Sequence, residues 1–419
     1  MIAPRFGARL AFLAVVGLGA AVPASSRQAP QGAQPPSHRP VRVLLGATTT
    51  SASVETHRGW RLLDAREGVV WPDGGAGSVA VERQRDRLRV RHAGTVTPWY
   101  DGAVIIEAAT PDELLAWGGR SYRGSLTLVP TDTAILVVNR LDVEDYLRGV
   151  VPLEVGPVTP DEHAAVEAQA VAARSYTYTR MLAAGQRAWD LTTLESDQVY
   201  GGAAVETFLG DLAVSATAGW VLSVGGEVVI APYHAICGGH TASPSEVWRG
   251  GSDAFLRGVS DEGPEPGRSW CDVAPRFAWE RRLSVEALAS AIARHGVAYE
   301  GSVRGVREAR GLILGDSTAT GRVGTLVVDT DRGALTLRGN DIRFVLRPDG
   351  VEVLPSTRFR VTEERGADGR LRAWLLAGRG HGHGVGMCQW GAIGRARAGH
   401  DFRVILRAYY PGAELTRAP

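Results

Sequence analysis

The sequence predicts an α+β fold in which largely antiparallel, twisted sheets surround a central alanine-rich helix. From Val41 to about residue 130, short runs rich in β-branched residues follow one another, and Thr127–Val129 and Ile135–Val138 are the clearest of them. A single long helix is expected after these strands, and shorter strands and helices are expected after that helix. This order, with the strands grouped before the long helix, indicates the α+β class.

The central helix has the strongest start signal in the chain. Thr159 is expected to be its N-cap, Pro160 to occupy the first helical position, and Glu162 to complete a capping box. The helix is expected to end at Gly185, because glycine readily adopts the conformation that closes a helix. Many of its residues are alanine, so neighbouring backbone can pack closely against it.

Shorter elements are expected around this helix. A short helix is predicted to begin at 110–113, and further helices are predicted at 142–149, 203–219 and 284–295. The other expected elements are a hairpin over 221–230, strands at 325–328 and 334–337, a loop over 251–275, and a Gly/His-rich loop with two short helices near the C-terminal end.

The N-terminal segment has the pattern of an export signal. Arg5 and Arg9 precede or flank the apolar run 10–21, which is too short for an ordinary membrane span. Residues 1–26 are therefore predicted to be a signal peptide, with an uncleaved anchor as the alternative. The Pro/Gln/Ser-rich residues 27–40 are predicted to be a disordered linker. In both cases the body of the protein is expected to be exported, to the periplasm, the cell envelope or the extracellular space.

The composition argues against some classes of function. The 46 Lys+Arg residues nearly balance the 45 Asp+Glu residues, so the overall charge does not indicate binding to nucleic acid. Every one of the 46 cationic residues is arginine, so no lysine can act as a base or nucleophile. The three cysteines allow at most one disulfide within the chain.

Glu154 and Arg174 are the candidates for catalysis. Glu154 is expected on a stiff turn between two prolines, where apolar neighbours would raise its pKa. A carboxyl group that is protonated near pH 7 can donate a proton to the leaving oxygen of a glycosidic bond. The alternative is that Glu154 is only a surface turn residue. Arg174, on the central helix, would either bind an anionic or carbonyl group of a substrate or form an ion pair with Glu167.

The segment 233–241 is a candidate metal site. His234, Cys237 and His240 lie within seven residues, and Cys271 follows later in the chain, so these four side chains could bind zinc. A disulfide between Cys237 and Cys271 is an equal alternative in an exported protein. A further alternative is that the two histidines only form hydrogen bonds in a cleft.

The Gly/His-rich segment 378–392 is a candidate binding surface. It has five glycines in nine residues, which would let its backbone approach a ligand closely. A helix expected to begin near Cys388 would direct N–H groups at that ligand. The candidate substrate-binding residues of the chain are His234, His240, His383, Gly384, Gly386 and Gln389.

Taken together, these stretches resemble the SpoIID/LytB family over residues 41–415. We divide this domain into a β-rich part (41–130), a catalytic core (131–250), a β/α part (251–375) and the C-terminal loop and helices (376–415). The matching landmarks, in family order, are Val41–Gly46, Tyr122–Gly124, Asn139–Leu147, Val151–Glu154, Ala168–Arg174, Asp197–Gly202, His234 with Cys237–Thr241, Val247-Trp248, Phe255–Val259, and His383–Met387 with Gln389–Ala392.

The resemblance implies a SpoIID-like fold and a peptidoglycan lytic transglycosylase. In such an enzyme Glu154 would be the catalytic acid and Arg174 a second important residue. The substrate's own acetamido and 6-hydroxyl groups would complete the reaction, so no second carboxylate and no cofactor would be required. Some family members hold zinc near the Cys-Gly-Gly segment, which fits a structural zinc here. Members usually carry lysine where this chain has Glu167.

The resemblance also implies a second function. LytB-like members modify the activity of a cell-wall amidase, so the alternative is a non-catalytic, glycan-binding enhancer of such an amidase. The expected partners are therefore peptidoglycan glycan strands and a cell-wall amidase, and not nucleic acid. A zinc hydrolase built on His234, Cys237 and His240 is a third interpretation. The substrate cleft is expected where Glu154, the 234–241 loop and the 378–392 loop converge.

Overall fold

The computed structural model describes residues 39–64, 68–251, 255–347 and 353–418. The predicted signal peptide (1–26) and all but the last two residues of the predicted linker (27–40) lie outside the described residues. No helix in the described part of the chain is long and apolar enough to cross a membrane.

Strands dominate the first part of the described chain. They are β1 (Val41–Thr48), β2 (Ser51–Asp64), β3 (Gly68–Gln84), β4 (Arg87–His92), β5 (Thr95–Val96), β6 (Tyr100–Asp101), β7 (Val104–Ala108), β8 (Leu115–Trp117), β9 (Arg120–Tyr122), β10 (Ser125–Pro130) and β11 (Ile135–Leu141).

The middle of the chain is mainly helical. It contains α1 (Val143–Arg148), α2 (Val151–Val155), α3 (His163–Ala184), β12 (Leu191–Thr192), α4 (Phe208–Ala216), β13 (Trp220–Val224), β14 (Glu227–Val228), β15 (Tyr233–His234) and α5 (Pro244–Val247).

The last part mixes both types. Its elements are β16 (Ala278–Ser284), α6 (Val285–His295), β17 (Ala309–Leu314), β18 (Thr325–Thr330), β19 (Gly333–Arg338), α7 (Asp341–Val345), β20 (Phe359–Arg365), β21 (Leu371–Arg379), β22 (Met387–Cys388), α8 (Gln389–Arg397), α9 (Phe402–Tyr409) and β23 (Glu414–Arg417).

The sheets are largely antiparallel, so the predicted α+β fold is confirmed. The main sheet has the order β12-β1-β11-β10-β7-β2-β3-β4-β5, and three-stranded sheets have the orders β14-β13-β23, β16-β21-β20 and β17-β18-β19. The described parallel pairs are β1 with β12 and β15 with β22. Alternation of buried and partly exposed residues explains the central strands: in β10, Leu126 and Leu128 are fully buried, whereas Thr127 between them is not.

The central alanine-rich helix is α3, and it separates two hydrophobic cores. Val166, Ala170 and Ala173 pack into the core of the main sheet. Ala168 and Ala172, on the other side, pack into a second core with α8 and α9. Because both sides of α3 are covered, its small side chains let the neighbouring elements approach closely.

A third hydrophobic core is formed by residues between Leu283 and Leu376. It includes α6 and the β17–β19 sheet, and Trp374 of β21 is fully buried in it. The strands at 325–328 and 334–337 and the helix after Ser284 were predicted correctly. Strands β16, β17, β20, β21 and β23 were not predicted.

The start of α3 differs slightly from the prediction. The Glu162 carboxylate accepts a hydrogen bond from the Thr159 N–H group at 2.7 Å, as in the predicted capping box. The first turn, Pro160–Glu162, is a 3₁₀ helix, and the α-helix begins at His163. The helix ends at Gly185, whose φ is +56°.

The predicted helix at 110–113 is wrong. These residues form a turn, and the buried Glu113 carboxylate accepts hydrogen bonds from the backbone N–H groups of His57 and Arg58 at 2.7 and 3.0 Å. The Glu113 carboxylate, which would have helped to start a helix, therefore holds this turn against β2, at a point where the pairing of β2 with β3 shifts in register.

Candidate active site

Glu154 lies on the short helix α2 rather than on the predicted turn. Pro152 stands in the first turn of α2, and Gly156, with a φ of +78°, ends it. Oε1 of Glu154 accepts a hydrogen bond from the Val199 N–H group at 2.8 Å. The residue as a whole is half-buried, so part of its surface is exposed to solvent.

Burial raises the pKa of Glu154 to about 7. Hydrogen bonds from the Val199 N–H group and the Tyr233 hydroxyl lower this pKa. The negative charge of Glu195 raises it further. Desolvation therefore dominates, and a substantial fraction of Glu154 is protonated at neutral pH. The alternative of an ordinary surface carboxylate does not agree with this environment.

A chain of hydrogen bonds leads from the protein interior to Glu154. The Tyr146 hydroxyl donates to Gln198 Oε1 at 3.2 Å, and the Thr177 hydroxyl lies 2.9 Å from the same oxygen. This orients the Gln198 amide so that Nε2 donates to the Tyr233 hydroxyl oxygen at 3.0 Å. The Tyr233 proton is then free to point at Glu154, consistent with the hydrogen bond by which Tyr233 lowers the pKa of that carboxyl.

The three predicted parts of the cleft converge at Tyr233. Its hydroxyl interacts with Glu154, while its backbone pairs with Met387 where β15 runs parallel to β22. Two further bridges, Ile236 to His381 and Ala242 to Val385, join the 234–241 loop to the Gly/His-rich loop. The expected convergence of the three segments is therefore seen in the structure.

Two neutral histidines lie beside this junction. His234 Nδ1 faces the Val385 carbonyl oxygen at 3.1 Å, so it carries the proton, and Nε2 is a buried acceptor without a partner in the described part of the chain. His383 Nδ1 accepts from the Val385 N–H group at 3.0 Å. Burial, reinforced by the charges of Arg343 and Arg322, lowers the pKa of His383 to about 3. The His383 ring contacts the rings of both His234 and Trp248.

The glycines of the Gly/His-rich loop make room for protein atoms, not for a ligand. A Cβ on Gly384 would lie 2.4 Å from Nη2 of Arg322, and one on Gly386 would lie 1.9 Å from the Pro232 carbonyl oxygen. Both residues also have positive φ angles, +92° and +72°. The lack of a side chain at these two glycines therefore serves close packing inside the protein, and their contact with substrate stays a prediction.

Two other predicted substrate-binding residues form hydrogen bonds within the protein. Gln389 is buried, and its Nε2 donates to Gln169 of α3 at 3.3 Å. His240 is half-buried, and its Nδ1 lies 2.7 Å from the Thr241 carbonyl oxygen. The helix expected near Cys388 is α8, but the Gly391 N–H group at its start donates to the Cys388 sulfur rather than to a ligand.

Arg174 was predicted to pair with Glu167 or to bind substrate, and the structure contradicts both. Its side chain has no exposed surface and forms a two-point ion pair with Glu144, with Nε donating at 2.9 Å. Its remaining donors face the carbonyl oxygens of Trp220 and Val214. All three guanidinium nitrogens donate to groups of the protein and the side chain has no exposed surface, so Arg174 joins α3 to α1 and β13 and is not placed to bind substrate. Glu167 instead lies 3.7 Å from His163.

The predicted metal ligands are only partly brought together. Cys237 and Cys271 are adjacent, with their sulfur atoms 3.5 Å apart and not bonded to each other. Their neighbours in the cluster are Asp261 and Cys388, which were not predicted as ligands. In the described chain, His234 and His240 do not join this cluster, so the zinc hydrolase interpretation loses its ligand set.

Sequence reasoning overlooked Gln198 and Tyr233. Both lie in stretches that carry the family resemblance or directly adjoin them, Gln198 in Asp197–Gly202 and Tyr233 just before His234. The family motifs could therefore have indicated that Gln198 and Tyr233 lie near the site. They do not reveal which polar side chain of each motif meets Glu154, because that depends on how segments distant in the sequence pack together.

Replacing Glu154 by glutamine is expected to change the pH dependence of stability. At pH values below the ordinary carboxyl pKa of 4.5, Glu154 is protonated in both the folded and the unfolded state. As the pH rises toward 7, the unfolded state ionises first, so stability is lost by at most about 3 kcal/mol. Glu154→Gln removes this loss. Its melting temperature, relative to wild type, should therefore rise between pH 5 and pH 8.

The matched control is Glu308→Gln, which changes an exposed carboxylate. Its melting temperature should follow that of wild type across the same pH range. A constant difference between Glu154→Gln and wild type from pH 5 to pH 8 would show that the pKa of Glu154 is not raised.

Gly386→Ala is expected to destabilise the protein more than Gly369→Ala. The two glycines have similar φ angles, +72° and +74°, so the backbone strain of alanine is the same at both. Only at Gly386 would the new Cβ collide with another atom, whereas nothing lies within 4 Å at Gly369. The collision should lower the free energy of unfolding by a further 1–3 kcal/mol or so, about the cost of overpacking. Denaturant unfolding measures the difference, and equal losses would contradict the packing role.

Comparisons with known proteins identify the family. The family described as Stage II sporulation protein (SpoIID) matches residues 131–223, which include Glu154, Arg174 and Gln198. A family described as a domain of unknown function (DUF8618) matches residues 271–386, which include most of the third core.

Three relatives match over most of the chain. An uncharacterized protein of Brachyspira hyodysenteriae is 31% identical over 340 residues, which are 81% of this chain and 82% of that protein. The Stage II sporulation protein D of Bacillus subtilis is 27% identical over 317 residues, 72% of this chain and 82% of the relative. The amidase enhancer of Bacillus subtilis is 27% identical over 304 residues, 64% of this chain but only 40% of the enhancer's length. Matches of this extent, together with the shared motifs, show that the chain belongs to the SpoIID/LytB family.

Proposed function

We propose that this protein acts on the bacterial cell wall as a lytic transglycosylase, with Glu154 as its single general acid. The observation that carries this proposal is the burial of Glu154, which raises its pKa to about 7 although the residue keeps part of its surface exposed. Such a group still carries its proton near neutral pH and can transfer it to a substrate oxygen.

The hydrogen bonds around Glu154 indicate which of its oxygens would donate. Oε1 accepts the Val199 N–H group, so it is occupied as an acceptor. The proton is therefore best placed on Oε2. Transfer of this proton to the glycosidic oxygen would break the C1–O bond as C1 gains oxocarbenium character.

The products would follow from the substrate's own groups. Attack of the 6-hydroxyl oxygen on C1 would form a 1,6-anhydro ring, and the hydroxyl proton would return to the Glu154 carboxylate. One C–O bond is broken, one is formed, and no water is consumed. This route needs neither a second catalytic carboxylate nor a cofactor. It therefore suits a site in which the exposed Glu195 influences Glu154 through its charge.

The second candidate function is that of a non-catalytic glycan-binding protein that enhances a cell-wall amidase. A relative named amidase enhancer favours it. Exposed apolar side chains beside the site also favour it, because such surfaces often bind partners. Leu153 of α2 is 42% exposed, and Phe208 and Leu212 of α4 are 79% and 45% exposed. Helix α4 packs beside α2, where Gly210 faces Pro152.

Digestion of glycan strands tests the enzymatic proposal. The purified protein should convert glycan without stem peptides into products with anhydro-muramyl ends, detected by mass spectrometry. Glu154→Gln should reduce the rate by about 10²- to 10⁴-fold, the usual contribution of a general acid. The rate of wild type should fall as the pH rises above about 7, where Glu154 loses its proton.

The control is again Glu308→Gln, which should keep the wild-type rate. If Glu154→Gln digests glycan as fast as wild type, Glu154 is not the acid. If neither protein forms products but both bind glycan and stimulate an amidase equally, the enhancer function is correct instead.

Tyr233→Phe is expected to shift the pH dependence of the reaction. The Tyr233 hydroxyl lowers the pKa of Glu154 by hydrogen bonding to it, so its removal should raise that pKa. The decline in kcat on the alkaline side should then move to higher pH. Tyr299→Phe alters an exposed tyrosine that follows α6 and serves as the control. A fall in kcat without any shift of the pH profile would show that Tyr233 does not act on Glu154.

A further inference from the structure

The three cysteines of this protein meet at one point with a buried aspartate. Cys237 follows β15, Asp261 and Cys271 belong to the segment between α5 and β16, and Cys388 ends β22. One ligand atom from each of these four residues lies within 4.8 Å of all the others, and all four side chains are buried. Residues separated by more than a hundred positions are thus brought together at a site distinct from Glu154.

The distances within the cluster suit a tetrahedral zinc ion. Zinc binds thiolate sulfur at about 2.3 Å, which places two sulfur ligands about 3.8 Å apart. Here the sulfur atoms of Cys237 and Cys271 are 3.5 Å apart, and Oδ2 of Asp261 lies 3.3 Å from the Cys237 sulfur. Small outward movements of the side chains would admit the ion.

Backbone N–H groups point at two of the sulfur atoms. The Gly239 N–H group donates to the Cys237 sulfur at 3.3 Å. The N–H groups of Cys237 and Gly391 donate to the Cys388 sulfur at 3.2 and 3.3 Å. Such donors stabilise thiolates, the form in which cysteine binds a metal, and they fix the direction of the sulfur lone pairs.

Asp261 is held so that one oxygen faces the cysteines. Its Oδ1 accepts from the Tyr409 hydroxyl at 2.7 Å and interacts with Arg395 at 3.4 Å. Oδ2 is left to face the Cys237 sulfur. Gly391 is needed for this arrangement, since a Cβ there would lie 2.1 Å from the Tyr409 hydroxyl and 2.6 Å from Oδ2. A carboxylate ligand usually binds the metal through one oxygen and accepts a supporting hydrogen bond with the other.

A buried arginine provides an independent indication of negative charge at this point. Arg322 is 1% exposed and forms no ion pair with a described carboxylate. Its Nη2 donates to the carbonyl oxygens of Cys237 and His240, and its Nε and Nη1 have no partner in the described chain. A zinc ion with three thiolates and one carboxylate carries a net negative charge. Arg322 and Arg395 would compensate it, which gives a reason for burying Arg322.

We propose that Cys237, Asp261, Cys271 and Cys388 together bind one zinc ion as a closed structural site. Four protein ligands leave no open position for water or substrate, so the ion has no part in the reaction. Its function is to join the loop after β15, the segment before β16 and the start of α8. Because β15 and β22 carry Tyr233 and the Gly/His-rich loop, the zinc also supports the walls of the cleft at a distance.

Metal analysis of the full-length wild-type protein tests the proposal without any mutation. Protein purified in zinc-containing medium should hold about one zinc per chain, as expected of a four-ligand structural site. Replacement of zinc by cobalt(II) should give the strong visible bands of tetrahedral cobalt and the charge-transfer bands of thiolate ligation. Chelation should lower the melting temperature, and added zinc should restore it.

Variants distinguish this ligand set from others. Cys388→Ser and Asp261→Asn should each lose zinc or bind it much more weakly, and the cobalt spectrum of Asp261→Asn should change even if the protein stays folded. His240→Ala is the matched control, since His240 flanks the cluster without belonging to it. This variant should keep its zinc and its cobalt spectrum.

Two results would overturn the proposal. One is a wild-type protein that contains no zinc and does not take up cobalt. The other is a disulfide between Cys237 and Cys271, found by mass spectrometry of peptides from the native protein, because it would remove two of the four ligands. Neither result bears on Glu154, so the zinc site and the proposed glycan cleavage can fail separately.

Discussion

The proposed site depends on the burial of one carboxyl group, that of Glu154. A buried carboxylate is unfavourable, so the group keeps its proton to about pH 7. A single hydroxyl, that of Tyr233, is positioned by Gln198 to interact with it. Gln198 is in turn held by the hydroxyls of Tyr146 and Thr177, deep in the protein. Hydrogen bonds in such a chain support one another in a medium of low polarity, so the position of Glu154 is defined by residues far from solvent.

Helix α3 connects this arrangement to the rest of the protein. Its alanines face two hydrophobic cores, and its Thr177 contributes to the hydrogen bonds behind Glu154. Arg174, one turn earlier, ties the helix to α1 through Glu144 and to β13 through the Trp220 carbonyl oxygen. If one partner of such an ion pair is removed, the charge of the other partner remains in the protein without compensation. A residue that appears catalytic by its motif can therefore act instead by holding the helix that supports the acid.

Several residues were interpreted as ligands because the same residue types serve binding and packing. The glycines of the 378–392 loop could bring backbone close to a ligand, but Gly386 brings it close to Pro232 instead. Gln389 could bind a sugar, but it bonds to Gln169 of α3. Cys237 and Cys271 were correctly associated with each other, whereas Asp261 and Cys388 were not recognised as their neighbours. In each case the local sequence is compatible with both roles, and the neighbour that decides between them lies far away along the chain.

The sequence by itself determined the fold class, the capped alanine-rich helix, the family and the candidate acid. These follow from local patterns: the alternation of β10, the Thr159–Glu162 cap, and short motifs such as the one that contains Glu154. The tertiary structure decided the partner of Arg174, the orientation of Tyr233 and Gln198, and the meeting of three cysteines with Asp261. The physical reason is that burial and hydrogen bonding depend on contacts between distant segments. The pKa of Glu154 is the clearest example. Its apolar neighbours in the sequence predicted a raised pKa, but the pKa itself is determined by desolvation together with Val199, Glu195 and Tyr233.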